Sequence, residues 1–149
     1  MRKFIADGML GGLARWLRFI GYDTLYFNTS RKIELIRVAE KEKRIILTKD
    51  RRLTDEFSDI TYFVKGENTL EQLKEVIKNF KLEINEENFF NLCSVCNRKL
   101  EKIEKEKIKE KVPEYVYNIK DEFSICYNCG RIYWNGDHCK SIREVLKKL

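Results

Sequence analysis

The sequence predicts an α/β protein: a parallel sheet with helical crossovers, followed by a small β-rich ribbon closed by metal. Three observations carry that expectation. Residues 1–88 alternate short apolar strand signals with helical periodicities over short connections, which is how a parallel sheet with right-handed crossovers reads. Two cysteine pairs, Cys93-x2-Cys96 and Cys126-x2-Cys129, stand roughly thirty residues apart within 89–149. A hydrophobic content of 43% can fill a core, while 36% charged residues makes for a solvated surface rather than a disordered chain.

The elements follow in order. Lys3–Ala6 is a short apolar strand ending at Asp7-Gly8, and Leu10, Leu13, Ala14, Leu17 and Ile20 then fall at helical spacing before a stop at Gly21. Asp23–Phe27 reads as a second strand, and Ile33, Ile36, Val38 and Ala39 line a helix running to about Glu42. Arg44-Ile-Ile-Leu-Thr48 is β-branched and continuous, as a strand buried on both faces requires. Ile60–Val64 is the fourth strand, and Asn68-Thr-Leu-Glu71 is a capping box opening a helix with Leu70, Leu73, Val76, Ile77 and Phe80 on one face. Arg98–Lys111, dense in Lys and Glu, has the composition of an exposed helix ended by Pro113. With its charges partly cancelling, it reads as a solvated excursion between the two cysteine pairs rather than an RNA-binding basic run. Val112–Ile119, Phe123–Cys126 and Arg131–Trp134 read as ribbon strands, and Ser141-x-x-Glu144 as the cap of a short terminal helix.

Each Cys-x2-Cys step places two thiolates on one tight turn, so Cys93, Cys96, Cys126 and Cys129 together make the closed S4 shell of a structural zinc site. Disulfide pairing and a redox Cys-x-x-Cys are the alternatives. Cys139 is left over, and two complete pairs leave no vacancy for it or for His138. Four metal-bound thiols suit a reducing interior, so a cytoplasmic location is expected. No apolar run approaches a membrane span, and Met1–Leu10 lacks the long apolar core of a signal peptide. The formal charge of +6 drops to about +4 once four thiolates and one zinc ion are counted. Residues 91–149 hold thirteen Lys/Arg against nine Asp/Glu, a basic bias that permits nucleic-acid binding without requiring it.

Asp7 and Asp50 each follow a hydrophobic strand, and ligand sites in open parallel sheets form outside the carboxyl ends of strands. Two carboxylates sharing a cleft there repel each other. A hard divalent cation such as magnesium resolves the repulsion, with a substrate phosphate completing its shell. Asp7 as a turn former and Asp50 as a helix cap are the plainer readings.

Several stretches are shared, in order, with a known family: Phe4-Ile-Ala-Asp7-Gly-Met-Leu10, Leu13-Ala-Arg-Trp-Leu-Arg18, Gly21-Tyr-Asp23, Arg44-Ile-Ile-Leu-Thr-Lys-Asp50-Arg51, Cys93-Ser-Val-Cys96-Asn97, and Cys126-Tyr-Asn-Cys129-Gly-Arg-Ile-Tyr-Trp134 with Gly136-Asp-His138. On these the chain resembles the PIN-like ribonuclease family named for the C-terminal domain of the Mut-seven protein, in which a zinc ribbon follows a small α/β nuclease domain. The resemblance implies a PIN-like domain over 1–88, a zinc ribbon with a terminal helix over 89–149, and metal-dependent cleavage of RNA by magnesium or manganese. Asp7 and Asp50 match acidic positions of that site. The family pattern places a third acid at the start of the second helix. Lys32 stands at that position, and Glu34, two residues on, is taken as the third catalytic acid, with Asp55 the reserve.

Arg15 and Arg18 on the helix after Asp7, and Arg51 beside Asp50, are candidate phosphate clamps for RNA. Surface solubility, or a structural pairing with Asp23, is their alternative. The single histidine, His138, lies in the ribbon, which disfavours a metal-free, histidine-based ribonuclease. Trp16 is expected in the core, and Tyr133 or Trp134 either packs on the first domain or stacks on a base. A non-catalytic RNA-binding module and a protein-interaction scaffold are the competing functions.

Overall fold

A computed structural model describes residues 1–135 and 137–148, with the side chains of 137–139 and 141–142 excepted. The chain divides into two compact units, 1–97 and 98–149. In the first, strands β1 (Phe4–Asp7), β2 (Thr24–Phe27), β3 (Ile45–Thr48) and β4 (Thr61–Phe63) form one parallel sheet in the order β2-β1-β3-β4. Helices α1 (Gly11–Phe19), α2 (Lys32–Glu42), α3 (Arg51–Glu56) and α4 (Thr69–Phe80) make the connections.

The period-2 alternation of a strand assigns its residues to two faces. Ile5 and Ile46, register partners in β1 and β3, join Leu35, Ile36, Ala39 and Leu53 of α2 and α3 in one apolar layer. Phe4, out of phase with Ile5, packs edge-on against Phe80 of α4 on the other face. There α1 lies against α4 and buries Leu13, Ala14 and Leu17. Asp7 and Thr48 share phase with Ile5 and Ile46, so both belong to the side that α2 covers.

Local signals set the element ends. A 3-10 turn at Gly8–Leu10 leads into α1, and Gly8 has φ +55°, a left-handed conformation that glycine adopts without steric cost. Gly21, which stops α1, has φ +97°, and a Cβ there would stand 2.8 Å from Asn88. Asn68 caps α4 as expected, accepting from Glu71 N at 2.9 Å, but Glu71 reaches back to Glu67 N rather than to Asn68 N.

In the second unit β5 (Glu101–Ile103), β6 (Phe123–Ile125) and β7 (Ile132–Tyr133) form an antiparallel sheet, with α5 (Glu114–Ile119) before β6 and α6 (Asp137–Lys147) after β7. Three expectations fail here. The charged stretch from Arg98 is not a helix but β5 followed by a 3-10 turn at Lys105–Ile108. Ile103 and Ile108 both pack in the core of this unit, and five residues apart on a helix they would point ~140° from each other. Val112–Ile119 is not a strand. Val116 of α5 packs in the same core as Val112, which stands just before the helix, and Pro113 caps α5 with its φ of −58°. α6 begins at Asp137, so Ser141 lies inside it, and the side chain on which the expected cap depends lies outside the described residues. Trp134 packs within the core of its own unit, 6.3 Å from the Phe123 ring.

Candidate active site and metal centre

β1 and β3 are neighbours, while β2 lies on the far side of β1. The chain therefore reverses its direction of winding between β1 and β3, and this is the switch point where open α/β sheets place ligands. Asp7 closes β1 there, and Asp50 follows β3 by two residues. The first acid is buried, with 5% of its side chain exposed.

Alternation and register position its partners. Thr48, in β3 beside β1, donates from Oγ1 to Asp7 Oδ2 at 2.9 Å. The same Oγ1 accepts from Asp50 N at 3.0 Å. One hydroxyl thus links the two acidic positions. The other Asp7 oxygen, Oδ1, receives Lys32 Nζ at 2.7 Å. Lys32 is the first residue of α2 and retains 35% side-chain exposure. A buried carboxylate so placed has a charged partner and a hydrogen bond, which is what stabilises an ion removed from water.

Asp50 is the N-cap of α3, its Oδ1 accepting from Arg52 N at 3.0 Å. Lys32, Ile33 and Ile36 of α2 face Asp50, Arg52 and Leu53 across a groove of about 280 Å³. Asp7, Lys32, Thr48 and Asp50 are therefore brought together. Glu34 is not. It stands ~200° around α2 from Lys32 by helical spacing, half-exposed, with Arg31 Nη1 3.3 Å away. Asp55 is exposed on α3. In the sequence Lys32 stands out only as a departure from an acidic pattern, and Thr48 carries no signal, because a threonine at a strand end is ordinary until its neighbour strand is known.

Another acid near this edge has a structural task. Glu75 on α4 accepts from Tyr62 Oη at 2.8 Å, from Lys65 N at 3.1 Å and from Gly66 N at 2.8 Å. Burial raises its pKa, but these bonds outweigh that and hold it below the ordinary value. Burial, then the bond to Glu75, pushes the Tyr62 hydroxyl up to about 12.

The three arginines separate. Arg15 is exposed on α1. Arg51 is exposed and lies over the Phe63 ring, 4.1 Å from its centroid. Arg18 is 7% exposed, donating from Nε to Thr24 O at 2.8 Å and from Nη1 to Ser94 O at 2.7 Å. α1 runs away from the Asp7 edge, so its last turn reaches the opposite end of the sheet. Burial lowers the Arg18 pKa, opposed by the nearby Cys93 and Cys96. Arg18→Ala is expected to destabilise the protein by about 2–4 kcal/mol, because buried carbonyls lose their donor. Denaturant unfolding checks this, and a loss below about 0.5 kcal/mol would return Arg18 to the surface arginines.

That opposite end carries the first cysteine turn. Asn97 accepts from Thr24 N at 3.0 Å and donates to Asp23 Oδ1 at 2.6 Å. Burial raises the Asp23 pKa, but the bonds from Arg44 and Asn97, with the Arg44 and Lys3 charges, hold it below the carboxylate norm. Both cysteine turns share one backbone device. The residue after the second cysteine is left-handed, Asn97 at φ +61° and Gly130 at φ +80°. Asn97 N donates to Cys93 O at 2.9 Å and Gly130 N to Cys126 O at 2.7 Å.

The four sulfur atoms lie within 4.8 Å of one another and could hold a metal ion. Tetrahedral zinc with bonds of ~2.3 Å needs sulfurs about 3.8 Å apart, so the donor set fits. All four tetrahedral positions would be thiolate, leaving none for water or substrate. Cys139 and His138 have side chains outside the described residues.

The family model described as "Mut7-C RNAse domain" matches residues 2–146. The chain belongs to the Mut7-C RNAse domain family. Membership points to RNA cleavage and hence to RNA as substrate, and the parallel sheet followed by a four-cysteine cluster agrees with the fold expected from the sequence. No curated protein matches this Mut7-C chain significantly. Among the described residues no helix is long and apolar enough to cross a membrane.

Proposed function

We propose that this chain is a cytoplasmic ribonuclease that hydrolyses RNA phosphodiester bonds at the carboxyl edge of its parallel sheet. Residues 1–88 act as the nuclease domain, and 89–149 as a zinc ribbon that supports the fold or the RNA. The observation that carries the reading is the meeting of Asp7 and Asp50 at the switch point between β1 and β3. Family membership supports the reaction class.

Asp50 lines the groove together with Glu56, and of the two it stands at the switch point, suited to accept a hydrogen bond from an attacking water. Lys32 at the same groove, with Arg51 and Arg52 at the start of α3, supplies positive charge for the phosphate. Arg15 adds a distal contact. Glu34 joins Asp7 and Asp50 as third acid only by leaving Arg31 and by a rearrangement of α2 that turns its far side toward the groove. A magnesium or manganese ion on Asp7, Glu34 and Asp50 does not fit the present arrangement. Both Asp7 oxygens are engaged, Asp50 caps a helix and Glu34 faces away. Metal dependence therefore requires Lys32 to leave Asp7.

A second reading, RNA binding without cleavage, is favoured by one fact: each of the three acids already has a partner. End-labelled single-stranded RNA separates the two. Zinc-loaded wild-type protein is expected to shorten it, with affinity that falls on a shallow slope as salt rises. Arg15→Ala should weaken binding a few-fold without lowering Tm. Binding with intact RNA in both magnesium and manganese would support the second reading, and no binding at low salt would remove both.

A further inference from the structure

We infer that the ammonium of Lys32 is the resident cation of the Asp7 carboxylate, so that this chain takes up a divalent ion there only when Lys32 withdraws. Asp7 is 5% exposed, and an anion that far from water needs a compensating charge. Lys32 Nζ supplies it at 2.7 Å from Oδ1, at the position a cation would take. The remaining oxygen is held by Thr48 Oγ1 at 2.9 Å, and that hydroxyl is fixed in turn by Asp50 N at 3.0 Å. The carboxylate is thus held on both oxygens, by Lys32 of α2 on one and Thr48 of β3 on the other, with Asp50 N fixing the threonine.

A divalent ion competing for Asp7 must displace one hydrogen-bonded ammonium. It must also bear the repulsion of that ammonium unless the side chain swings clear. Lys32 has the means to do so: its stem is flexible, it is one-third exposed, and it borders the open groove between α2 and α3. The arrangement makes metal occupancy conditional, and an RNA phosphate in the groove is a natural competitor for the ammonium. The inference concerns the site of the proposed ribonuclease, but its readout is metal binding, so it fails or holds separately from RNA cleavage.

The test is a double-mutant cycle on the zinc-loaded chain, with manganese binding followed by calorimetry and by electron paramagnetic resonance. Lys32→Gln is expected to tighten manganese binding at least about tenfold, the scale on which a like charge a few ångströms away opposes a cation. Asp7→Asn alone should change the affinity less than about twofold, because Asp7 is already occupied; in the Lys32→Gln background it should abolish the gain. Without manganese, Lys32→Gln should melt about 5–10 °C lower, having left a buried carboxylate unpaired, and added manganese should restore the loss. Equal affinities in wild type and Lys32→Gln would overturn the inference, as would a gain that survives Asp7→Asn. Should Lys32→Gln fail to fold, Asp7→Asn decides alone: a tenfold or greater loss of manganese affinity would mean that Asp7 binds the metal with Lys32 in place.

Discussion

Asp50→Asn is expected to lower RNA cleavage by about a hundredfold or more while leaving the fold intact, the scale for losing a positioned acid–base group. The substitution is unusually clean at this position. Asp50 caps α3 through one side-chain oxygen that accepts from Arg52 N, and asparagine caps a helix about as well. Its backbone N–H still donates to Thr48 Oγ1, so the link to Asp7 persists. What disappears is the negative charge of Asp50 at the groove, while that of Glu56 stays. Asp7→Asn is a poorer probe, since it also takes the charged partner from Lys32 inside the fold. Cleavage, RNA affinity and thermal melting should be measured together. Wild-type cleavage by Asp50→Asn would take Asp50 out of the chemistry, whereas loss of both cleavage and melting temperature would mean that the cap, not the charge, had been removed.

The second large effect concerns the cysteines. One zinc ion per chain is expected, and Cys126→Ser should reduce that stoichiometry and release residues 98–135 to fast amide exchange. Structural zinc in small modules contributes roughly 10–16 kcal/mol of apparent binding free energy, all of it folding free energy. Among the described residues, the main apolar cluster of the second unit is small, made of Ile108, Val112, Val116 and Phe123 with a few partly buried neighbours. The parallel sheet has its own core around Ile5, Ile46 and Leu35, and its protection should survive. Metal analysis that finds no zinc would remove the centre, and uniform loss of protection across the chain would show that the sheet depends on it too.

The same physics explains what the chain alone disclosed and what it withheld. The strand and helix order of the first unit was legible because each element carries its own period. Ile45, Ile46 and Leu47 are a buried strand by composition, and Leu73 and Val76 mark the inner face of α4 by spacing. The cysteine turns were legible for a similar reason, since Cys-x2-Cys with Asn97 or Gly130 after it is a complete local device. The second unit misled because its segments are short and charged, and a distant core overrode their local preference. Ile103 became a strand residue by pairing with Phe123, and Val116 a helical one by meeting Ile108.

At the candidate site the sequence determined which strands end in acids, and nothing about who neutralises them. That β1 lies beside β3, with α2 starting above them, is a matter of sheet order, and it alone put Thr48 and Lys32 on Asp7. It also turned Glu34 toward solvent and carried Arg18 to the far end of the sheet, where it holds the first cysteine turn. Periodicity is a property of neighbours along the chain. A buried charge takes its partner from whatever the fold brings within about 3 Å, and that distance is decided only when the strands have chosen their order.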